Sequence, residues 1–391
     1  MEHGQASAAH DRTFAMCGVN DVIEGAGAAQ RLKRHLRSIE GRHVTVLTSP
    51  SVRKAGWFDA VIGDLPGRSV SVVADVRPHN DSESLDRVLD NVAKQPPDVI
   101  IAIGGGSVMD AAKLAALSVG MGASDSSPLA AFAAGSRAVS TLPDRTPLIV
   151  AIPTTLQGAE WNGYAGAVAA DGTKIIIGHT GLTPSVIVLD PLLVADTPVD
   201  LWMQSGVRSV DHAIEGLHSR RSHVVSDALA VEAIHQITTH LPHSREVGVD
   251  AEAVAGCFRG TWMSIMFVHN VPMGLSHAIG HQLGALGGVP HGATSSIVLP
   301  HVLRFLAPRA SRAQARIREA LARSGAEGDS TADALEAWLD TVKVPRTLRD
   351  YALSDALLET ISTTVASSPL IDVVPGPVSA DDVRGILARA W

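Results

Sequence analysis

Along the first half of the chain, short unbroken apolar runs alternate with segments whose apolar residues recur every three or four positions. The runs HVTVLTS (43–49), DVIIAIGGGS (98–107), TPLIVAIPTT, KIIIGH and SVIVLDP (185–191) are rich in β-branched residues and lack a polar alternation. A strand covered on both faces has this pattern. Between them, SESLDRVLDNVAKQ (82–95) carries helical periodicity, so the first half predicts a parallel sheet with crossover helices. Beyond residue 190 the strand-like runs nearly stop, and DALAVEAIHQITTHL, AQARIREALARSG, STADALEAWLDTV and SADDVRGILARAW predict helices. Ser330 and Ser379 precede acidic first turns, as helix caps do. The predicted organisation is an α/β domain over 1–190 and an all-helical domain over 191–391.

Composition agrees with two folded domains. The 391 residues are 46% hydrophobic and 18% charged, a globular balance in a chain too long for one compact core. A formal net charge of −8 without a dense basic stripe argues against nucleic acid as a partner. The two cysteines, Cys17 and Cys257, match no zinc or redox spacing, which fits a reducing cytoplasm. The start MEHGQASAAHDRTFAM does not read as a leader. No apolar stretch approaches the roughly 20 residues that span a bilayer. A cytoplasmic protein acting on small molecules is expected.

Two places carry chemistry. Gly104, Gly105, Gly106 and Ser107 follow a buried strand and precede VMDAAKLAALS, forming either a tight strand-to-helix turn or a cradle where backbone N–H groups and the helix dipole hold phosphate. It is not the GxGxxG fingerprint. Ser49 ends the strand where a dinucleotide fold places its ribose-reading residue. Serine there tolerates either nicotinamide cofactor, while Arg53 and Lys54 either favour a 2′-phosphate or form a solvated helix end.

The second place is SGVRSVDHAIEGLHS (205–219), where Arg208 and His212 are four residues apart and share a helical face. His277 and His281 repeat that spacing, and His291 follows a Gly-Gly-Val-Pro turn that returns it toward them. Concentrated histidines fit metal ligation or proton transfer. The arginine leaves three options: a metal site, a lost metal site, or a site rebuilt around the guanidinium. Asp211 should point about 100° away from His212 round the helix. Glu215 shares the face of His212 and would orient its ring. Trp161 and Tyr164 either line the cofactor pocket or pack in the core. His3, His10, His79, His218, His223, His235, His240 and His243 read as surface or satisfied core residues.

With these motifs the chain resembles the iron-containing alcohol dehydrogenase superfamily and, within it, the maleylacetate reductase branch. EGAGAAQRL (24–32) is similar to the family's opening hairpin, IAIGGGSVMDAAK to its pyrophosphate loop, and IPTTLQGAEWNGYAG to its second nucleotide-contacting segment. LTPSVIVLDP resembles the run before the helical domain, and HAIEG with 277–301 resembles the metal-binding helices. The resemblance implies the dehydroquinate synthase-like fold, a Rossmann-like domain plus a helical domain with NAD(P)H in the cleft, commonly as a homodimer. By the same resemblance, Gly104, Gly105, Gly106, Ser107, Asp110, Thr154 and Thr155 are cofactor contacts, His212, His277 and His291 match three metal ligands, and His281 matches a proton relay.

The family's fourth ligand, an aspartate, falls at Arg208. An arginine with three neutral histidines carries the +1 charge that a dication with one aspartate would. The expected function is therefore metal-free, NAD(P)H-dependent reduction of a small, anionic carbonyl or activated-alkene substrate, such as an oxo acid. Arg208, His212, His277, His281 and His291 would be its catalytic set. Two alternatives stand beside it: a Zn- or Fe-dependent alcohol dehydrogenase using three histidines and a water, and a non-redox lyase, isomerase or cyclase on the same scaffold.

Overall fold

The structure is a computed structural model, describing residues 14–35, 42–63, 65, 69–133, 141–168, 174–246 and 248–391. A six-stranded sheet is built from β1 (Asp21–Glu24), β2 (His43–Thr48), β3 (Ser69–Val73), β4 (Val99–Gly104), β5 (Leu148–Pro153) and β8 (Val186–Leu189). Its order is β1-β8-β5-β4-β2-β3, and every pairing is parallel. Every residue of β4 is buried, which explains its unbroken VIIAIG: helices cover both faces and no position needs to be polar. The order reverses between β2 and β4, so the crevice outside their carboxyl ends is a topological switch point. Ser49 and Gly105 sit there.

Four helices before the sheet ends precede or cross over its strands in sequence: α1 (Leu32–His35), α2 (Pro50–Arg53), α3 (Phe58–Gly63) and α4 (Ser82–Lys94); a fifth, α5 (Gly106–Met121), follows β4. Helix α4 buries Leu85, Val88, Leu89 and Val92 on one face, and the Asp81 side chain accepts the Ser84 N–H to cap it. Two sequence expectations need correction. KIIIGH does not join the parallel sheet: β7 (Lys174–Gly178) pairs antiparallel with β6 (Tyr164–Val168), because it follows its partner closely enough for direct return. EGAGAAQRL is not a hairpin: β1 is a parallel edge strand beside β8, and the chain then enters the 3-10 turn Ala29–Arg31.

The rest is helical: α6 (Val199–His218), α7 (Val224–His240), α8 (Ala251–Ile265), α9 (Leu275–Gly287), α10 (His291–Leu306), α11 (Ser311–Ala322), α12 (Thr331–Val342), α13 (Asp355–Ala366) and α14 (Ala380–Arg389). Ser330 and Ser379 form reciprocal capping boxes with Asp333 and Asp382. Helix α6 is the central element, buried along nearly all its length. One apolar core runs without a break from Leu47 and Ile100 of the sheet through Trp202 and Val210 of α6 to Trp338 of α12. A second joins α9, α10, α13 and α14. Among the described residues no helix is long and apolar enough to cross a membrane.

Candidate active site

Helix α5 begins directly at the glycine loop. Gly104 has φ +153, and a Cβ there would stand 2.8 Å from Val108 Cγ2, so the turn out of β4 requires glycine. A Cβ on Gly105 would meet Thr155 at 3.2 Å, and one on Gly106 would meet Gln157 Oε1 at 2.4 Å. Gly105 is the N-cap of a sixteen-residue helix and offers no side-chain cap. The first N–H groups of α5 and its dipole therefore face a backbone without side-chain bulk, which is the arrangement that accepts phosphate.

The other predicted contacts divide. Thr154 and Thr155, both buried, follow β5, and the Thr154 N–H donates to Gly104 O at 3.0 Å. Asp110 Oδ2 accepts the Gly166 N–H at 3.0 Å, so this carboxylate braces β6. Ser49 caps α2 by accepting the Val52 N–H at 3.3 Å. Arg53 is paired with Asp59 at 2.9 Å and lies over the Phe58 ring. Trp161 packs in the core, stacked 4.7 Å from Trp262, and Tyr164 stacks 4.3 Å from His269.

The segment 154–157 ties this loop to α6. Leu156 N–H donates to Ser205 Oγ at 3.0 Å, the Ser209 hydroxyl donates to Leu156 O, and Thr197 Oγ1 donates to Thr154 O at 2.9 Å. Ser205 and Ser209 flank Arg208 on the helix. The glycine loop and the arginine are thus held by one short stretch of chain.

Arg208 is buried, 8% exposed, as are Asp211, His212, Glu215 and His277. Its Nη1 donates to Ser295 Oγ at 3.1 Å; Ser295 in turn donates to Asp211 Oδ2 at 2.6 Å. Ser276 Oγ donates to the same oxygen at 2.9 Å. Arg208 Nη1 and Asp211 Oδ2 are 3.8 Å apart, so a serine relays the contact between guanidinium and carboxylate. The ring of His212 lies 5.0 Å from that of His277, which lies 6.2 Å from that of His281. A Cβ on Gly280 would stand 2.8 Å from Thr294 Oγ1, so glycine here leaves room for the threonine of α10. His291 opens α10, and its side chain lies outside the described residues.

Three sequence expectations change here. Asp211 does not point away from the site. Helices α9 and α10 wrap α6 on both sides, so a residue 100° from His212 still faces Ser276 and Ser295. Glu215 does not orient His212: its Oε2 lies 2.5 Å from His277 Nδ1, a hydrogen bond to that ring, while His212 Nδ1 has no hydrogen-bond partner. The charge balance also differs, because two carboxyls join the arginine. Burial pushes both carboxyls up; for Asp211 the neighbouring Glu215 adds to this, while backbone N–H groups and Arg208 oppose it for Glu215. His212 is held well below the usual histidine range by burial, then by His277 and Arg208, so its ring is neutral.

Residues 20–191 match the family model described as iron-containing alcohol dehydrogenase, and 202–391 match that of the family's C-terminal part. The chain belongs to the iron-containing alcohol dehydrogenase family. It is an oxidoreductase. Among its relatives, a maleylacetate reductase of Pseudomonas sp. (strain P51) is 28% identical over 373 residues, 95% of each chain. A long-chain-alcohol dehydrogenase of Geobacillus thermodenitrificans is 27% identical over 376 residues, 94% of each. The solved iron-containing alcohol dehydrogenase of Thermococcus thioreducens superposes with a TM-score of 0.84 at 25% identity, covering 97% of this chain and 99% of that one.

Within this family member, Ser276 and Ser295 join the cluster around Asp211, and sequence reading did not find them. Both carry ordinary helix positions, and only the packing of α9 and α10 against α6 brings their hydroxyls to Asp211. The buried lysine of the glycine-loop helix was also silent: Lys113 Nζ donates to Ala159 O and Tyr164 O, each at 2.6 Å.

Proposed function

We propose that this chain is an NAD(P)H-dependent reductase of a small carbonyl or activated-alkene substrate bearing an anionic group, of the oxo-acid or maleylacetate type, and that it works without a metal. The observation that carries the reading is the buried guanidinium of Arg208 beside His212 and His277. The family description implies a metal, and the residues present are a poor fit to one. A dication held by these rings would share a closed interior with the buried guanidinium and be repelled by it, with little water to screen the two charges.

Asp211, Glu215 and His277 Nδ1 do converge, with ligand atoms within 4.8 Å of one another. However, the Glu215–His277 contact of 2.5 Å is a hydrogen bond, and both oxygens of Glu215 already accept N–H groups. An ion there would have to break three hydrogen bonds in a closed interior.

The glycine loop fits the nicotinamide cofactor, since side-chain-free backbone at the start of α5 would hold its diphosphate. Bound there, NAD(P)H would supply the hydride. Arg208, presented by Ser295 and Asp211, stabilises negative charge developing on the substrate oxygen or grips its carboxylate. His281, the half-buried end of the histidine row, and the buried His277 beside it transfer the proton that completes reduction, and buried His212 stays neutral and walls the pocket.

The test is NADPH oxidation, followed by absorbance, with a panel of oxo acids, aldehydes and maleylacetate. Turnover of an anionic member that is lost in Arg208→Met supports the reading; inactivity across the panel overturns it.

A further inference from the structure

Helix α9 starts at Gly274 without a side-chain cap of its own. Its open N–H groups are met instead by Glu215, projecting from α6. Glu215 Oε2 accepts the Gly274 N–H at 2.9 Å and Oε1 accepts the Ser276 N–H at 2.5 Å. The same carboxylate is hydrogen-bonded to His277, whose Nδ1 lies 2.5 Å from Oε2. Glu215, Ser276 and His277 are all buried, so water does not compete for these bonds. A Cβ on Gly274 would stand 3.3 Å from Glu215 Oε1, so the glycine lets the carboxylate approach this closely.

We infer that Glu215 is a positioning residue that fixes His277 as the tautomer protonated on Nδ1, leaving Nε2 as the proton-accepting atom of the ring. An ionised carboxylate only accepts. Burial disfavours that ionised form, while the backbone N–H groups of Gly274, Ser276 and His277 and the guanidinium of Arg208 favour it. A neutral imidazole bonded to it through Nδ1 must carry its proton there, and its lone pair is then on Nε2.

Free imidazole side chains in water prefer the opposite tautomer, so the protein has to impose this one. The same carboxylate sets the start of α9, which ties the ring's protonation to the helix that carries both His277 and His281. The consequence for catalysis rests on the proposed reduction: a ring with its lone pair on Nε2 can take up a proton and pass it on, but cannot donate one until it has done so. The tautomer itself rests on the hydrogen bonds alone.

The experiment is nitrogen-15 NMR of histidine-labelled natural protein near pH 8, on the alkaline side where ionised carboxylates are favoured. The His277 signals are assigned by their loss in His277→Asn. The expected result is the Nδ1-protonated pattern. An Nε2-protonated pattern overturns the inference, including the case in which Glu215 is a neutral acid donating to the ring.

Glu215→Ala gives a second readout. It is expected to move His277 toward the Nε2-protonated form and to lower kcat about tenfold or more, with NADPH affinity within about twofold of the natural protein. Loss of thermal stability with the tautomer unchanged would show Glu215 to be a helix cap and nothing else. Because the NMR readout needs no turnover, an inactive enzyme with the Nδ1-protonated pattern would count against the proposed function and not against this assignment.

Discussion

Replacing Ser295 by alanine removes one hydroxyl that sits between two charges. Its oxygen accepts from Arg208 Nη1 at 3.1 Å and donates to Asp211 Oδ2 at 2.6 Å, in both cases out of water. Hydrogen bonds to charged groups contribute about 1.5–3 kcal/mol each. The loss is smaller than two such bonds, because Arg208 Nη1 and Asp211 Oδ2 are already 3.8 Å apart and can close on each other, while Ser276 still donates to the carboxylate. A net destabilisation of about 2–3 kcal/mol is expected in urea unfolding. Closing that gap moves the guanidinium by about 1 Å, a displacement that costs up to about 100-fold in turnover when the group acts on the transition state. The predicted signature is therefore kcat on an anionic substrate reduced by about tenfold to 100-fold, unchanged NADPH affinity, and recovery in Ser295→Thr, which keeps the hydroxyl. An alanine variant with natural kcat and natural stability would refute the relay from serine to arginine.

Further outcomes follow from the same geometry. Glu160 is buried with Oε1 lacking a hydrogen-bond partner, and burial raises its pKa from 4.5 to about 7 against the opposing pull of Lys113. A carboxyl that holds its proton more tightly when folded adds stability below about pH 4.5 that is lost as pH climbs through about 7. Glu160→Gln should therefore match the natural protein near pH 4.5 and exceed it near pH 8 by about 2–3 kcal/mol; equal thermal stability at both pH values would count against burial as the cause. Gly104→Ala puts a methyl 2.8 Å from Val108 at a φ of +153, so NADPH affinity measured by fluorescence should fall at least about tenfold; natural affinity would mean the loop does not carry the diphosphate. Arg208→Lys keeps the charge but loses the planar fork, and KM for the anionic substrate should rise more than kcat falls if the guanidinium grips a carboxylate. The opposite split would assign it to the developing oxyanion.

Much of the fold was legible because strands buried on both faces and amphipathic helices write different periods into the chain. VIIAIG of β4 and the Leu85, Val88, Leu89 and Val92 stripe of α4 are direct examples. KIIIG misled for the same reason: a short apolar run states that a strand is buried and says nothing of its partner. In the candidate site, the spacing of Arg208 with His212 and of His277 with His281 puts each pair on one helix, and the structure brings those two helices together. Which residue faces which was not legible. Glu215 reaches His277 across two helices, and Asp211 is turned inward because neighbours cover more than one face of α6. Those relations belong to helix packing, which leaves no periodic trace.

The central claim, that the arginine stands in place of an ion, is tested most directly by metal content and NADPH binding measured on one purified sample, beside Arg208→Asp. The account predicts natural protein that binds NADPH, holds far less than one metal per chain and keeps its turnover after chelation, while the aspartate variant takes up zinc or iron. One tightly held metal per natural chain, with activity lost on its removal, would contradict it.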